Sequence, residues 1–317
     1  MGILISGDFT HGQKALFRQL LEEEVYFDDQ ELPQSAGAHI RVALMTSWKR
    51  LSMMLPQLPN LEMVQCFFAG ADRITFEDVP ADIVIATASG AMASSIAEHA
   101  FSLLLSLSRN LFMHDRKLRK GDFSQLSPLN TELRGKSIGI IGYGSIGREV
   151  GRRARSFGMK VLAINTSGES DADKTFTLEG MDELLRSSDF VIVCIPLNAM
   201  TKGAIDTRRL KVMKDSAILV NVSRGKVIDE GDLYRHLKEN PGFRAGLDVW
   251  WHYPKEGEKW SQEYPFDKLD NVAMTPHNAA MIPGWEERTI EFCSKNIMNY
   301  LNGRKIENKV RKEDYLI

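Results

Sequence analysis

Residues 137–158 read SIGIIGYGSIGREVGRRARSFG. An apolar run is followed by Gly142, Tyr143, Gly144, Ser145, Ile146 and Gly147, and then by a stretch that reads as a helix. The chemistry such a turn can do is to hold the pyrophosphate of a dinucleotide. Gly142 permits a tight turn, Gly144 lets backbone approach the phosphates, Gly147 lets helix and strand pack closely, and the helix N-terminus faces the anion. A bare GxGxxG is a weak signal, but here it follows an apolar strand and opens a helix, the context the chemistry requires.

A dinucleotide site also needs a group for the adenosine ribose about 20 residues further on. The strand KVLAIN ends there at Asn165, followed by Thr166, Ser167 and Gly168. A carboxylate at that point would repel a 2′-phosphate, so its absence admits NADP. No arginine follows to pair such a phosphate, and Glu169, Asp171 and Asp173 are near. The sequence therefore leaves NADP and NAD both open, with a slight lean to NADP. A second stretch that could do chemistry is DVWWHYP, residues 248–254, where Asp248 is followed by Trp250, Trp251, His252 and Tyr253. It is either a core strand entering a turn or the edge of an active site.

The elements that must position these groups follow from the pattern of the chain. Its 317 residues suffice for two domains with cores, and 43% hydrophobic with 26% charged content is ordinary for a globular protein. Forty Lys and Arg against 42 Asp and Glu leave no electrostatic footprint for nucleic acid or an anionic membrane. No apolar run approaches the roughly 20 residues of a membrane span. The three cysteines, Cys66, Cys194 and Cys293, form no disulfide framework, so a reducing cytoplasm is the expected compartment. The histidine spacings give no metal-ligand pattern.

The first ~95 residues alternate apolar runs (ILIS, EVYFD, RVALMTS, LEMVQCFFAG, ADIVIATA) with a helical stretch, GQKALFRQLLEEE, which implies a parallel α/β unit. SSIAEHAFSLLLSLSRNLFMHDRKLRK reads as one long connecting helix carrying His99 and His114, neither given a chemical role. A second alternating region runs through SIGIIG, KVLAIN, DFVIVCIP, AILVNVS, RAGLDVW and NVAMTP, and WEERTIEFCSKNIMNYLNG reads as a final amphipathic helix.

With these motifs in order, the chain resembles the D-isomer-specific 2-hydroxyacid dehydrogenase family, which includes glycerate, phosphoglycerate and formate dehydrogenases. The resemblance covers nearly the whole chain: ELRGKSIGIIGYGSIGREVGRRARSFGMKV, PLNAMTKGAID, MKDSAILVNVSRGKVIDEGDL, AGLDVW, MTPHNAA, FFAGADRI and SSIAEHAFSLLLSLSRN. It implies two doubly wound parallel-sheet domains, a Rossmann-type cofactor domain (96–285) inserted in a flavodoxin-like substrate domain (1–95 and 286–317). It implies a hydride transfer between NAD(P) and a small 2-oxo acid or D-2-hydroxy acid, and a homodimer through the helix near residues 94–109. Arg224 would bind substrate and His277 act as acid–base. Ala69, Gly70 and Ala71 would offer amides to the substrate carboxylate. Ser145, Ile146, Asn165, Val222, Ser223, Asp248 and Ala279 match the family's cofactor contacts, and Thr166, Ser167, Pro196, Arg224 and His277 are grouped with them.

The chemistry is consistent with these residue types. A guanidinium is a planar fork that can hold a carboxylate and polarise a carbonyl, and a histidine can move the proton of the new alkoxide. One departure stands out. Most of the family carries a glutamate five residues beyond the aspartate, as partner of the histidine, and here that position is Tyr253. Formate dehydrogenases carry a glutamine there, with an asparagine before the connecting helix where this chain has Met92, which argues against formate as substrate. Tyr253 is then read as bonding His277 without charging it, or as walling a pocket with Trp250 and Trp251 while His252, Glu256 or Glu258 partners His277. A third reading is a weakly active or inactive NAD(P)-binding scaffold, like the C-terminal-binding-protein corepressors.

Overall fold

The computed structural model describes residues 1–30, 33 and 35–315. The chain divides into two units, one of residues 1–92 with 282–317, the other of residues 93–281. The boundaries fall three to four residues before the expected 95/96 and 285/286.

The first unit begins β1 (Gly2–Ser6), α1 (His11–Leu20), β2 (Glu24–Phe27), β3 (Ile40–Met45), α2 (Trp48–Ser52), β4 (Met63–Cys66) and β5 (Val84–Ala86). The strands pair in the order β2-β1-β3-β4-β5, all parallel. This is the flavodoxin-like winding. Alternate residues feed opposite faces. Leu4, Ala43, Met45 and Val64 join a core closed by Trp48 and Leu51 of α2. Ile3, Ile5, Val42, Leu44 and Met63 join the other, with Phe17 of α1. Burial on both faces is why these strands read as unbroken apolar runs. Helix α1 starts with a capping box in which Thr10 Oγ1 accepts the Gln13 N–H and Gln13 Oε1 accepts the Thr10 N–H.

The second unit runs α3 (Ala93–Ser108), α4 (Leu111–Arg119), β6 (Ser137–Ile141), α5 (Ser145–Ser156), β7 (Lys160–Ile164), β8 (Lys174–Phe176), α6 (Met181–Ser187), β9 (Phe190–Val193), α7 (Thr207–Val212), β10 (Ile218–Asn221), α8 (Glu230–Glu239), β11 (Arg244–Leu247) and β12 (Val272–Met274). Its seven strands lie in the order β12-β11-β10-β9-β6-β7-β8, again all parallel. That is the Rossmann winding, extended by one strand at the β12 edge. The chain then returns to the first unit as α9 (Trp285–Leu301). There Ile290, Cys293 and Ile297 enter the core shared with Phe17, and Gln13 donates to Glu286 at 2.9 Å.

Two elements differ from the sequence reading. The single long helix is two, because Asn110 takes the left-handed conformation (φ 51°) and its amide bonds Leu129 O and Asn130 Oδ1 at 3.0 and 3.2 Å. Asparagine adopts that conformation more readily than other non-glycine residues. Ala97, Ala100, Phe101, Leu103, Leu104 and Leu107 of α3 are buried in a core of this unit, where the helix packs on α5, β10 and β11. Strand β8 was not anticipated, because it is three residues, KTF, at the sheet edge with one partner.

Candidate active site

Parallel strands end on one edge of a sheet, so the chemistry-bearing residues of the second unit collect there. β6 ends in the glycine turn, β7 in Asn165, β9 before Pro196, β10 before Val222–Arg224, β11 in Asp248 and β12 before His277–Ala279. The winding reverses between β6 and β9, the topological switch where open α/β sheets bind ligands.

Each glycine of the turn has its own steric reason. Gly142 has φ +97°, and a side chain there would meet Ile195 N at 2.7 Å and the carbonyl of Cys194 at 2.8 Å. A side chain at Gly147 would collide with the Gly142 carbonyl oxygen. At Gly144 a Cβ would meet nothing within 4 Å, so the backbone is open to a ligand. Gly144 is the N-cap of the 12-residue α5, and no side chain caps that end. Open amides at a helix N-terminus, beside backbone that a phosphate can reach, fit a dinucleotide pyrophosphate. Ser145 and Ile146 supply the first of those amides.

At the end of β7, the Asn165 side chain folds over its own loop. Oδ1 accepts the Gly168 N–H at 2.7 Å and Nδ2 donates to Glu169 O at 2.6 Å. Thr166 and Ser167 are exposed beside it. After β9, Pro196 O accepts the Thr201 hydroxyl at 2.6 Å, which closes the loop 196–201.

Arg224 is set by the residue at the end of β10. Asn221 is fully buried, its Nδ2 donates to Arg224 O at 3.0 Å, and its Oδ1 accepts the Ser223 N–H and hydroxyl at 3.0 and 2.9 Å. The Arg224 side chain itself donates to Ser223 O at 2.9 Å. The sequence reading gave Asn221 no role; a polar residue ending an apolar strand was the available signal.

Asp248 organises the loop after β12. It is buried, and its carboxylate accepts the Thr275 hydroxyl at 2.7 Å and the Asn278 and Ala279 amides at 3.1 and 3.3 Å. His99 Nε2 of α3 lies 3.3 Å from Asp248 Oδ1 and 2.9 Å from Thr275 Oγ1. Burial pushes the Asp248 carboxyl up, but the bonds from His99, Thr275 and the Asn278 amide outweigh it and hold it below the usual carboxylate value. Ser95 of α3 donates to Ala279 O at 3.0 Å from the other side. His277 lies between these anchors with φ 58°, a left-handed backbone. His99 was read as a helix residue without a role, and no linear motif joined it to Asp248.

The Tyr253 ring lies 5.4 Å from the His277 ring, centroid to centroid, and its hydroxyl accepts the Trp250 N–H at 3.1 Å. Both tryptophans are bonded inside the unit. Trp250 is buried and donates to Thr275 O at 3.0 Å, while Trp251 stacks on Phe266 and donates to Ile228 O at 2.7 Å. His252 faces Glu230 and Glu263 at 3.8 and 3.9 Å. Those three offer donor atoms within 4.8 Å of one another, a grouping their linear spacing hides.

In the first unit, Ala69, Gly70 and Ala71 follow β4. Phe67 N–H is bonded to Met45 O at 2.9 Å and Phe68 O accepts the Ala88 N–H at 3.1 Å, which fixes the start of this loop. None of the amides of Ala69, Gly70 and Ala71 donates to another group among the described residues.

A Rossmann-ordered sheet with a steric glycine turn and an uncapped helix behind it defines a dinucleotide-binding α/β protein. Residues 101–279 match the family described as D-isomer specific 2-hydroxyacid dehydrogenase, NAD binding domain. Over 313 residues the chain is 32% identical to the glyoxylate reductase of Pyrococcus furiosus, covering 94% of this chain and 91% of that protein. Among solved structures, an acyclic imino acid reductase in complex with NADPH and D-Arg superposes with a TM-score of 0.78, at 26% identity over 98% of this chain and 100% of that one. The D-lactate dehydrogenase of Aquifex aeolicus, complexed with NAD and lactic acid, gives 0.74 at 25% identity over 95% and 96%. The chain belongs to the D-isomer specific 2-hydroxyacid dehydrogenase family and is an NAD(P)-dependent oxidoreductase of that class. Among the described residues no helix is long and apolar enough to cross a membrane.

Proposed function

We propose that this enzyme reduces a small 2-oxo acid to its D-2-hydroxy acid, in the manner of the glyoxylate reductases it resembles. The observation that carries the reading is the arrangement of the sheet edge. Arg224 follows β10 and His277 follows β12, on either side of the strand that ends in Asp248, in the sheet whose first turn fits a dinucleotide. The dinucleotide supplies a hydride when bound. Arg224 binds the substrate carboxylate and polarises the carbonyl through its planar fork. His277 delivers the proton to the new alkoxide. The amides of Ala69, Gly70 and Ala71 hold the carboxylate. Pro196, Val222, Ser223, Asp248 and Ala279 contact the cofactor, with Asn165, Thr166 and Ser167 at the ribose. The absence of a carboxylate there supports a lean to NADPH.

The test is a panel of 2-oxo acids, from glyoxylate upward, against NADH and NADPH with purified protein. Turnover of any member supports the reading. Cofactor binding without turnover favours a dinucleotide-binding scaffold, a reading that Tyr253 supports because it puts a phenol engaged with Trp250 where a charged partner of His277 would stand.

A homodimer through the helix near residues 94–109 is part of the same reading, and the segment that follows that helix adds support for a contact. Leu111, Phe112, Leu118, Phe123, Leu126 and Leu129, on α4 and the segment after it, are 52–82% exposed. Apolar exposure on that scale supports a protein–protein contact there.

A further inference from the structure

One carboxylate gathers three bonds from the loop that carries His277. Asp248 Oδ1 takes the Thr275 hydroxyl and the Asn278 amide, and Oδ2 takes the Ala279 amide. Two of these donors directly follow His277, whose left-handed backbone is one that a non-glycine residue keeps only when its surroundings hold it there. The remaining group on this carboxylate comes from α3. His99 Nε2 is 3.3 Å from Asp248 Oδ1 and 2.9 Å from Thr275 Oγ1.

The proton on that nitrogen can be assigned from the hydroxyl. Thr275 has one proton, and its nearest oxygen acceptor is Asp248 Oδ1 at 2.7 Å, against 3.5 Å to Leu247 O, which assigns the proton to Asp248. Towards His99 the hydroxyl oxygen therefore accepts, as Oδ1 does, so Nε2 must carry hydrogen. The neighbouring acid on α3, Glu98, is paired with Arg153 of α5 at 2.9 Å. The bonds to the Asp248 carboxylate come from His99 of α3 and, in the loop after β12, from the Thr275 hydroxyl and two amides.

We propose that His99 is a positioning residue for His277, acting through Thr275 and Asp248 as an Nε2–H donor that fixes the 275–279 loop. It touches none of the reacting atoms. The effect on turnover rests on the reductase reading, and the effect on the loop does not. The lowered acidity range of Asp248, to which His99 contributes, supplies a further handle. A glutamine there offers an N–H donor in place of the ring.

The experiment compares full-length wild type, His99→Leu and His99→Gln. Amide hydrogen exchange is read at Asn278 and Ala279, NAD(P)H affinity by binding, and kcat, KM and the pH profile with a 2-oxo acid. In His99→Leu, exchange at both amides should rise roughly 10-fold or more. Its kcat should fall about 10- to 100-fold through misplacement of His277, with KM and cofactor affinity within about twofold. The acid limb of kcat/KM should move to higher pH, because Asp248 loses a partner that favours its ionised form. His99→Gln should restore protection and most of kcat while the acid limb stays displaced. Unchanged exchange in His99→Leu overturns the proposal, as does an equal loss in both variants with lowered Tm. If His99→Leu does not fold, an unmoved acid limb in His99→Gln overturns it. If wild type reduces no 2-oxo acid, the reductase reading fails, and the exchange comparison still decides the role of His99.

Discussion

The rings of Tyr253 and His277 lie 5.4 Å apart between centroids and are tilted by 45°, with the tyrosine hydroxyl accepting the Trp250 N–H. At the position where the family resemblance leads one to expect a glutamate, this chain presents a phenol to the histidine proposed as acid–base. A carboxylate there would favour the imidazolium that carbonyl reduction consumes. Tyr253→Glu should therefore sustain reduction to higher pH than wild type, and Tyr253→Phe should leave the basic limb where it is. The profile of kcat/KM for reduction in the three proteins checks this. A limb shared by all three would mean that another acid already serves His277.

Asp248 holds the loop after β12 through its carboxylate. Its carboxyl is held below the usual value in the folded chain, so its stabilisation is fully present above the ordinary carboxylate value near ~3.9 and is lost as pH falls through the lowered one. Asp248→Asn should destabilise the protein by about 1–3 kcal/mol, since buried amides lose an acceptor. The stability difference from wild type, measured by denaturant unfolding, should be flat from neutral pH to about 4 and shrink below it. A difference that widens on acidification would contradict the assignment.

One substitution separates the loop bonds of Asn165 from its proposed place at the ribose. Asn165→Asp keeps the acceptor for the Gly168 N–H but replaces the donor that bonds Glu169 O. It also places a charge where a 2′-phosphate would sit. NADPH use should fall by about 10-fold or more while NADH use is kept or improved. Equal change with both cofactors would remove Asn165 from the ribose site.

The exposed apolar side chains after α4 predict self-association. Phe123 and Leu126 are 74% and 82% exposed. Replacing both with serine should shift a dimer toward monomer in sedimentation without lowering Tm, because neither packs in its own unit. A wild-type monomer would refute the surface.

Much of this was legible in the sequence because it rests on local rules. Parallel strands buried on both faces leave unbroken apolar runs, so β1, β6, β9 and β10 stand out, and the glycine spacing of the β6–α5 turn is itself a local pattern. What escaped depends on contacts far apart in sequence. His99 and Asp248 are 149 positions apart and meet only once α3 packs across β11 and β12. Asn110 breaks a continuous apolar pattern by backbone conformation, which periodicity does not register. Trp250 and Trp251 were equally plausible as pocket and as core until Phe266, Thr275 and Ile228 supplied their partners.

The proposed roles of Arg224 and His277 in the reduction of a 2-oxo acid by NAD(P)H are tested most directly by substrate-dependent NAD(P)H oxidation by wild type beside Arg224→Lys. Lysine keeps the charge and loses the planar fork. The account predicts turnover by wild type, a loss in kcat/KM of about 10²-fold or more in the variant, equivalent to roughly 2.7 kcal/mol, and the same cofactor affinity in both. A wild type that binds NAD(P)H yet oxidises it with no 2-oxo acid, or a variant that turns over at the wild-type rate, would contradict it.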